Sequence, residues 1–148
     1  MSYTKARTKK GGGGGLMDLI VDGYNALFDV ALLENESNEF VSRVLRDERE
    51  NFIDVLSSAR RNRGLTILVF DGQEKETREE RRGPLIVIFT SKRKTADDYI
   101  VDLVKKREVK IGNGSIPLGD IVVLTKDQGL KERIKGIKVR EPRWFFHE

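Results

Sequence analysis

Three aspartates each close an apolar run rich in β-branched residues. Asp22 ends the run in LIVDGYN, Asp71 ends LVFDG, and Asp127 follows the run in IVVLTKD. A fourth, Asp97, opens the amphipathic stretch TADDYIVDLV shortly after LIVIFT. A continuous apolar run reads as a parallel strand covered on both faces, and ligands of open α/β sheets gather at the carboxyl ends of such strands. Several carboxylates collected at one edge repel one another unless a cation sits among them. The chemistry this pattern offers is a divalent-metal site for phosphodiester hydrolysis. An oxygen-only donor set without cysteine or histidine suits Mg2+ or Mn2+, as one ion or two.

Each acid also has a plainer reading. Asp22-Gly23 and Asp71-Gly72 are turn dipeptides, and glycine permits a sharp exit from a strand. Asn25 follows Asp22 within reach of the same edge. Thr95 and Asp98 form a Thr-x-x-Asp capping pattern, which gives Asp98 a structural role. Asp97 has Ile100, Val101 and Val104 at i+3, i+4 and i+7, the apolar stripe of its helix, so it faces inward. An inward carboxylate needs a partner or a metal. Asp127 reads equally as the cap of a following helix or as part of the site. The four together favour a site more than any one alone.

Composition removes other chemistries. There is no cysteine, which excludes disulfides, thiolate zinc sites and a thiol nucleophile, and fits a reducing cytoplasm. The one histidine, His147, reads as a tail residue, so a Ser-His-Asp mechanism has no base. The formal net charge of +4 comes from Lys5, Arg7, Lys9 and Lys10; without them 24 basic and 24 acidic residues remain. No stretch has the length of a membrane span or the pattern of a secretory signal, so no membrane partner is expected.

The elements that must position the acids alternate. Residues 1–15, ending in Gly11 to Gly15, read as a disordered, basic, glycine-rich extension, natural or appended, or as a basic arm that holds RNA. The folded domain is expected over 16–148. Strands are expected at 17–22, at LTILVF, from Pro84 through LIVIF, at IVVL and around Ile137 to Val139. Helices are expected near 37–62, where Phe40, Val41, Val44, Leu45, Phe52, Val55, Leu56 and Ala59 share a stripe, and over 95–108 and 128–135. Residues 73–83 read as a charged loop or short helix with internal ion pairs, and KIGNGSIPLG as a turn-rich loop. Arg60, Arg61 and Arg63 read as a solvated helix end, and Trp144, Phe145 and Phe146 as a cover for the core, with base stacking as the alternative. Strand–helix alternation calls for a mostly parallel sheet with helices on both faces.

The ordered set V-D-G-Y-N, V-F-D-G, I-F-T-S-K-R-K-T-A-D-D-Y-I and V-L-T-K-D resembles the NYN domain of the PIN-like nuclease superfamily, and within it the bacterial YacP-like ribonucleases. The resemblance spans about residues 17–135 and implies an α/β, PIN-like, open and mostly parallel five-stranded sheet in the order 3-2-1-4-5. It also implies endoribonuclease chemistry with Mg2+ or Mn2+. Carried over by position, Asp22, Asp71, Asp97 and Asp127 are the metal-binding and catalytic acids. Asn25 is an accessory polar group and Asp98 an acid behind the ligands.

RNA is the implied partner. Lys92, Arg93 and Lys94 precede TADD and read either as holders of backbone phosphates or as a solvated loop. A module of the same fold that grips RNA or a ribosome without cutting is the competing reading. It would gain nothing from four acids beside phosphates. A receiver-type phosphoacceptor would need paired acids after the first strand, and a haloacid-type phosphatase Asp-x-Asp there; Asp22-Gly23-Tyr24 supplies neither.

Overall fold

Apolar runs with no polar face must be covered on both sides, and the chain does this with one central sheet. The computed structural model describes residues 17–31 and 38–145. In chain order it contains β1 (Asp18–Asp22), α1 (Gly23–Ala31), α2 (Asn38–Arg60), β2 (Thr66–Phe70), β3 (Arg78–Arg82), β4 (Leu85–Phe89), α3 (Ala96–Lys106), β5 (Glu108–Ile111), β6 (Gly114–Pro117), β7 (Ile121–Leu124), α4 (Gln128–Arg133), β8 (Lys138–Arg140) and α5 (Pro142–Phe145). The main sheet runs β3-β4-β2-β1-β7-β8 and is parallel except for β3. The five parallel strands therefore stand in the expected order 3-2-1-4-5. The chain leaves β1 towards β2 and β4, then returns to its other side at β7, so the strand order reverses between β1 and β7. Crevices in open α/β sheets form at such a reversal.

Strand alternation divides the core in two. Leu19, Val21, Leu68, Phe70, Val87 and Leu124 pack under α1, α2 and α5, with Leu27, Phe52, Leu56 and Phe145. Ile20, Ile67, Val69, Ile86, Ile88 and Val123 pack under α3 and α4, with Ile100, Val104 and Leu130. Continued past the strand ends, the same alternation carries Asp22 (two after Ile20), Asp71 (two after Val69) and Thr125 (two after Val123) to the α3 face.

Four expectations change. Residues 73–83 contain β3, not a loop or helix, and the sheet has six strands. Its Arg/Glu residues pair at i+2, as on one face of a strand: Arg78 to Glu80 at 3.5 Å and Arg82 to Glu80 at 3.8 Å. Charges of this kind suit an edge strand. The loop KIGNGSIPLG belongs to a hairpin of β5 and β6 that turns at Gly112 and Asn113, with Gly112 at φ +58°. Helix α1 was not expected after β1. Arg60 is not solvated: it is buried, its Nε donates to Thr66 Oγ1 at 2.5 Å and its Nη2 to the Met17 carbonyl at 2.7 Å. Burial pushes the Arg60 guanidinium down to about 10. Phe145 is buried and Trp144 packs against the same cluster, as a core cover should. Residues 1–15, Phe146 and His147 lie outside the described residues, as do the side chains of Phe40, Val41, Val44 and Leu45.

Candidate active site at the carboxyl edge of the sheet

Asp22 ends β1 beside Val69 of β2 and is 6% exposed. The Thr125 hydroxyl, at the end of β7, donates to its Oδ2 at 2.8 Å. Burial pushes the Asp22 carboxyl up to about 7; the Thr125 bond opposes this, and the charges of Asp97, Asp127 and Asp71 add to it. Asp97, half-buried in the first turn of α3, is also raised, first by burial and then by Asp127 and Asp71, with Arg133 pulling the other way. The four expected acids thus act on one another at one edge.

The outer two carboxylates also hold the frame. Asp71 Oδ1 accepts from the Ala96 N–H at 2.7 Å and ties the end of β2 to the start of α3. Asp127 Oδ1 accepts from the Leu130 N–H at 2.9 Å and caps α4. The cap and edge readings of Asp127 are therefore compatible, since a carboxylate has two oxygens. Asn25 Oδ1 accepts from the Lys126 N–H at 2.7 Å, clipping α1 to the loop after β7.

Gly23 and Gly72 are close-approach positions: an added Cβ would overlap the Phe70 ring at Gly23 and the Thr90 carbonyl at Gly72. Chain tightness at these two points lets α1 start at once after Asp22 and lets the Asp71 loop lie against the end of β4.

Other expected residues are placed away from the centre. Asp98 accepts from Arg133 at 2.9 Å, and that bond holds its carboxyl below the usual carboxylate range. Lys92 and Arg93 are exposed. Lys94 is drawn along α3 to Asp102 rather than towards the acids. Thr125 had no expected role beyond its place before Asp127. Its hydroxyl accepts from the Asp127 N–H at 3.0 Å while donating to Asp22, so it joins two of the acids. The signal for it was a hydroxyl at the end of a buried run.

The donors are carboxylate oxygens, the type that Mg2+ and Mn2+ prefer. Among the described residues, no group of three acids or histidines stands close enough to cage an ion as the side chains lie.

An open, mostly parallel sheet whose strand order reverses beside an acidic edge is consistent with a PIN-like α/β fold. The YacP-like NYN domain model matches residues 19–138, and the chain belongs to that family. The fold is similar to the crystal structure of Rae1 (YacP) from Bacillus subtilis, with a TM-score of 0.61 and 24% identity over 86% of this chain and 70% of that one. No curated protein matches. Membership carries a nuclease-type, RNA-related function, in a superfamily that generally uses divalent metals. No helix among the described residues is long and apolar enough to cross a membrane.

Proposed function

We propose that the chain is a metal-dependent endoribonuclease that hydrolyses RNA phosphodiester bonds at the Asp22 edge. The single observation that carries this is Asp22, a buried carboxylate whose charged neighbours are three more carboxylates. Such a group lacks a charge partner that would explain it structurally.

Asp22 and Asp97 would hold Mg2+ or Mn2+, and Asp71 and Asp127 would complete the shell or orient the attacking water. A bound ion of this kind polarises a phosphoryl oxygen and lowers the pKa of a water. The chain's own residues do the positioning. Thr125 fixes the Asp22 carboxylate and Asn25 holds the loop that carries Thr125 and Asp127, while Asp98 pairs with Arg133 at the exposed start of α3. Lys92 and Arg93 would hold backbone phosphates, with Lys94 joining only on release from Asp102. The domain is taken as 16–148, with 1–15 as an extension, acting in the cytoplasm.

The test is cleavage of single-stranded RNA with Mn2+, comparing the full chain with Asp97→Asn. Loss of cleavage with an unchanged fold supports the proposal. A second reading, an RNA- or ribosome-binding module that does not cut, is favoured by the absence of a ready-made cage among the described residues. RNA binding without cleavage in both proteins, with either metal, would establish it instead.

A further inference from the structure

A cavity of about 170 Å³ opens beside Asp71 on the β3 side of the acid edge. Its walls include Tyr24, Arg49, Arg78 and Phe89. Tyr24 follows Asp22 by two residues, so cavity and edge share both α1 and the Asp71 loop. The Arg49 guanidinium lies 5.1 Å from the Phe89 ring centre, and that of Arg78 lies 4.6 Å from it. Arg49 Nη1 donates to the Tyr24 hydroxyl at 3.1 Å, and its Nε is buried without a partner. The rim is stitched in place: the Thr90 N–H donates to the Phe70 carbonyl at 2.9 Å, the Gly72 N–H to Thr90 Oγ1 at 3.3 Å, and the Lys92 N–H to the Glu74 carbonyl at 2.8 Å.

We propose that this cavity holds one unpaired base of the RNA, next to the phosphate that lies at the acid edge. Unpaired bases stack on aromatic rings and on guanidinium planes, and the cavity supplies both. The size fits: an engineered apolar cavity of ~150 Å³ accepts benzene, so one ring system enters and a base pair does not. The charge fits a base better than a phosphate, because Asp71, Glu74 and Glu76 also line the space. Carboxylates repel phosphate and accept from base N–H groups. Strand continuity fits as well, since Lys92, bonded to the cavity rim, is exposed beside it. The proposal rests on the reading of the edge as an RNA-cutting site, but its test does not need cutting.

The test titrates the full, 15N-labelled chain in EDTA with the four ribonucleoside 5′-monophosphates, and with ribose 5-phosphate as the control without a base. At least one nucleotide should move the amides of Tyr24, Gly72 and Thr90, while ribose 5-phosphate leaves them still. Arg78→Ala, on an exposed edge strand, should weaken that nucleotide roughly 5- to 150-fold, the range expected for a lost stacking partner. Equal shifts with ribose 5-phosphate would make it a phosphate site, and no shifts with any nucleotide would remove the subsite; either result overturns the proposal. In a parallel cleavage series, an oligonucleotide with one abasic residue next to the scissile bond should lose as much as Arg78→Ala does, and the two losses should not multiply. Nucleotide binding without cleavage would sink the nuclease reading and keep the base site. Cleavage indifferent to the abasic residue would do the reverse.

Discussion

Asp22 and Asp29 belong to the same strand–helix unit and are almost equally buried, 6% and 9% exposed, yet the fold treats their charges in opposite ways. Asp29 lies at the seam between α1 and α5. Its Oδ1 meets Lys126 Nζ at 3.2 Å and Arg143 Nε at 3.3 Å, and Arg143 Nη2 also donates to the Asp29 carbonyl at 3.1 Å. Asp22, at the carboxyl edge, receives one neutral hydroxyl and faces like charges. A buried carboxylate that serves architecture is paired. One that the fold leaves among its own kind is a candidate for function. The two regions are coupled through Lys126, which sits between Thr125 and Asp127 but turns its ammonium to the seam. A cation adjacent in sequence to the acids is thus kept off them.

Asp22→Asn should break the comparison most visibly, with opposite effects on activity and stability. RNA cleavage should fall more than about 100-fold, beyond the 10–100-fold typical of residues that only orient ligands. Stability of the metal-free protein should rise. The folded state raises Asp22 from 3.8 to about 7, so it binds the proton more tightly than the unfolded chain. Stability from this group is full below pH 3.8 and is lost as pH rises towards 7. Asn removes the loss, so the gain should be roughly 2–4 kcal/mol at pH 8 and vanish near pH 4. Thermal unfolding in EDTA at both pH values measures it, and a destabilised variant at pH 8 would refute the claim that the charge at Asp22 is uncompensated.

Thr125→Val comes next. It removes the bond that pulls the Asp22 pKa down and the acceptor for the Asp127 N–H. Cleavage should fall about 10- to 100-fold, with the pH dependence of kcat/KM moved upward and Thr125→Ser restoring most of the rate. A loss that Ser does not rescue would point to packing instead.

The parts of this picture that could be read from sequence are those written locally. β1, β2, β4 and β7 are continuous apolar runs, and α2 and α3 keep a helical stripe, so these elements, the three acids after strands and Asp97 at the start of α3 follow from pattern, whereas the sheet order 3-2-1-4-5 came from the family resemblance. α1 escaped because Gly23-Tyr24-Asn25 reads as a turn and glycine is a poor helix former. β3 escaped because REERR carries no strand signal of its own; it forms by backbone pairing of Arg78 to Arg82 with Leu85 to Phe89. Arg60 looked like a solvated helix end because the Met17 carbonyl it holds is distant in sequence. The Thr125–Asp22 bond depends on register, with Val21 beside Leu124, which no local window contains. Lys94 looked free to meet phosphate because Asp102, its partner, lies two helical turns on.

Asp29→Asn should act on stability first. Lys126 and Arg143 would lose their anion, and because both cations are about half-exposed the cost should be about 1–3 kcal/mol, less than for a fully buried pair. Cleavage should fall only a few-fold, through the loosened loop that carries Thr125 and Asp127. Chemical denaturation and kcat/KM on the same preparation check both. A loss of activity as deep as that of Asp22→Asn would mean that seam and edge are one site.

The smallest effect belongs to Asp98→Asn, and it tests the same division within two adjacent residues. Asp97 and Asp98 point about 100° apart on α3. Asp97 is half-buried among acids, whereas the Asp98 carboxyl is held low by the Arg133 guanidinium. An exposed pair of this kind contributes little, so cleavage should change less than about twofold and Tm by about a degree or less. Measured beside Asp97→Asn under identical metal and RNA, the two variants should differ by two orders of magnitude in rate, on the same scale as Asp22→Asn. Comparable losses in both would mean that the rule drawn from Asp22 and Asp29 fails on α3, since a carboxylate bonded to a guanidinium would then matter as much as one set mainly among other carboxylates.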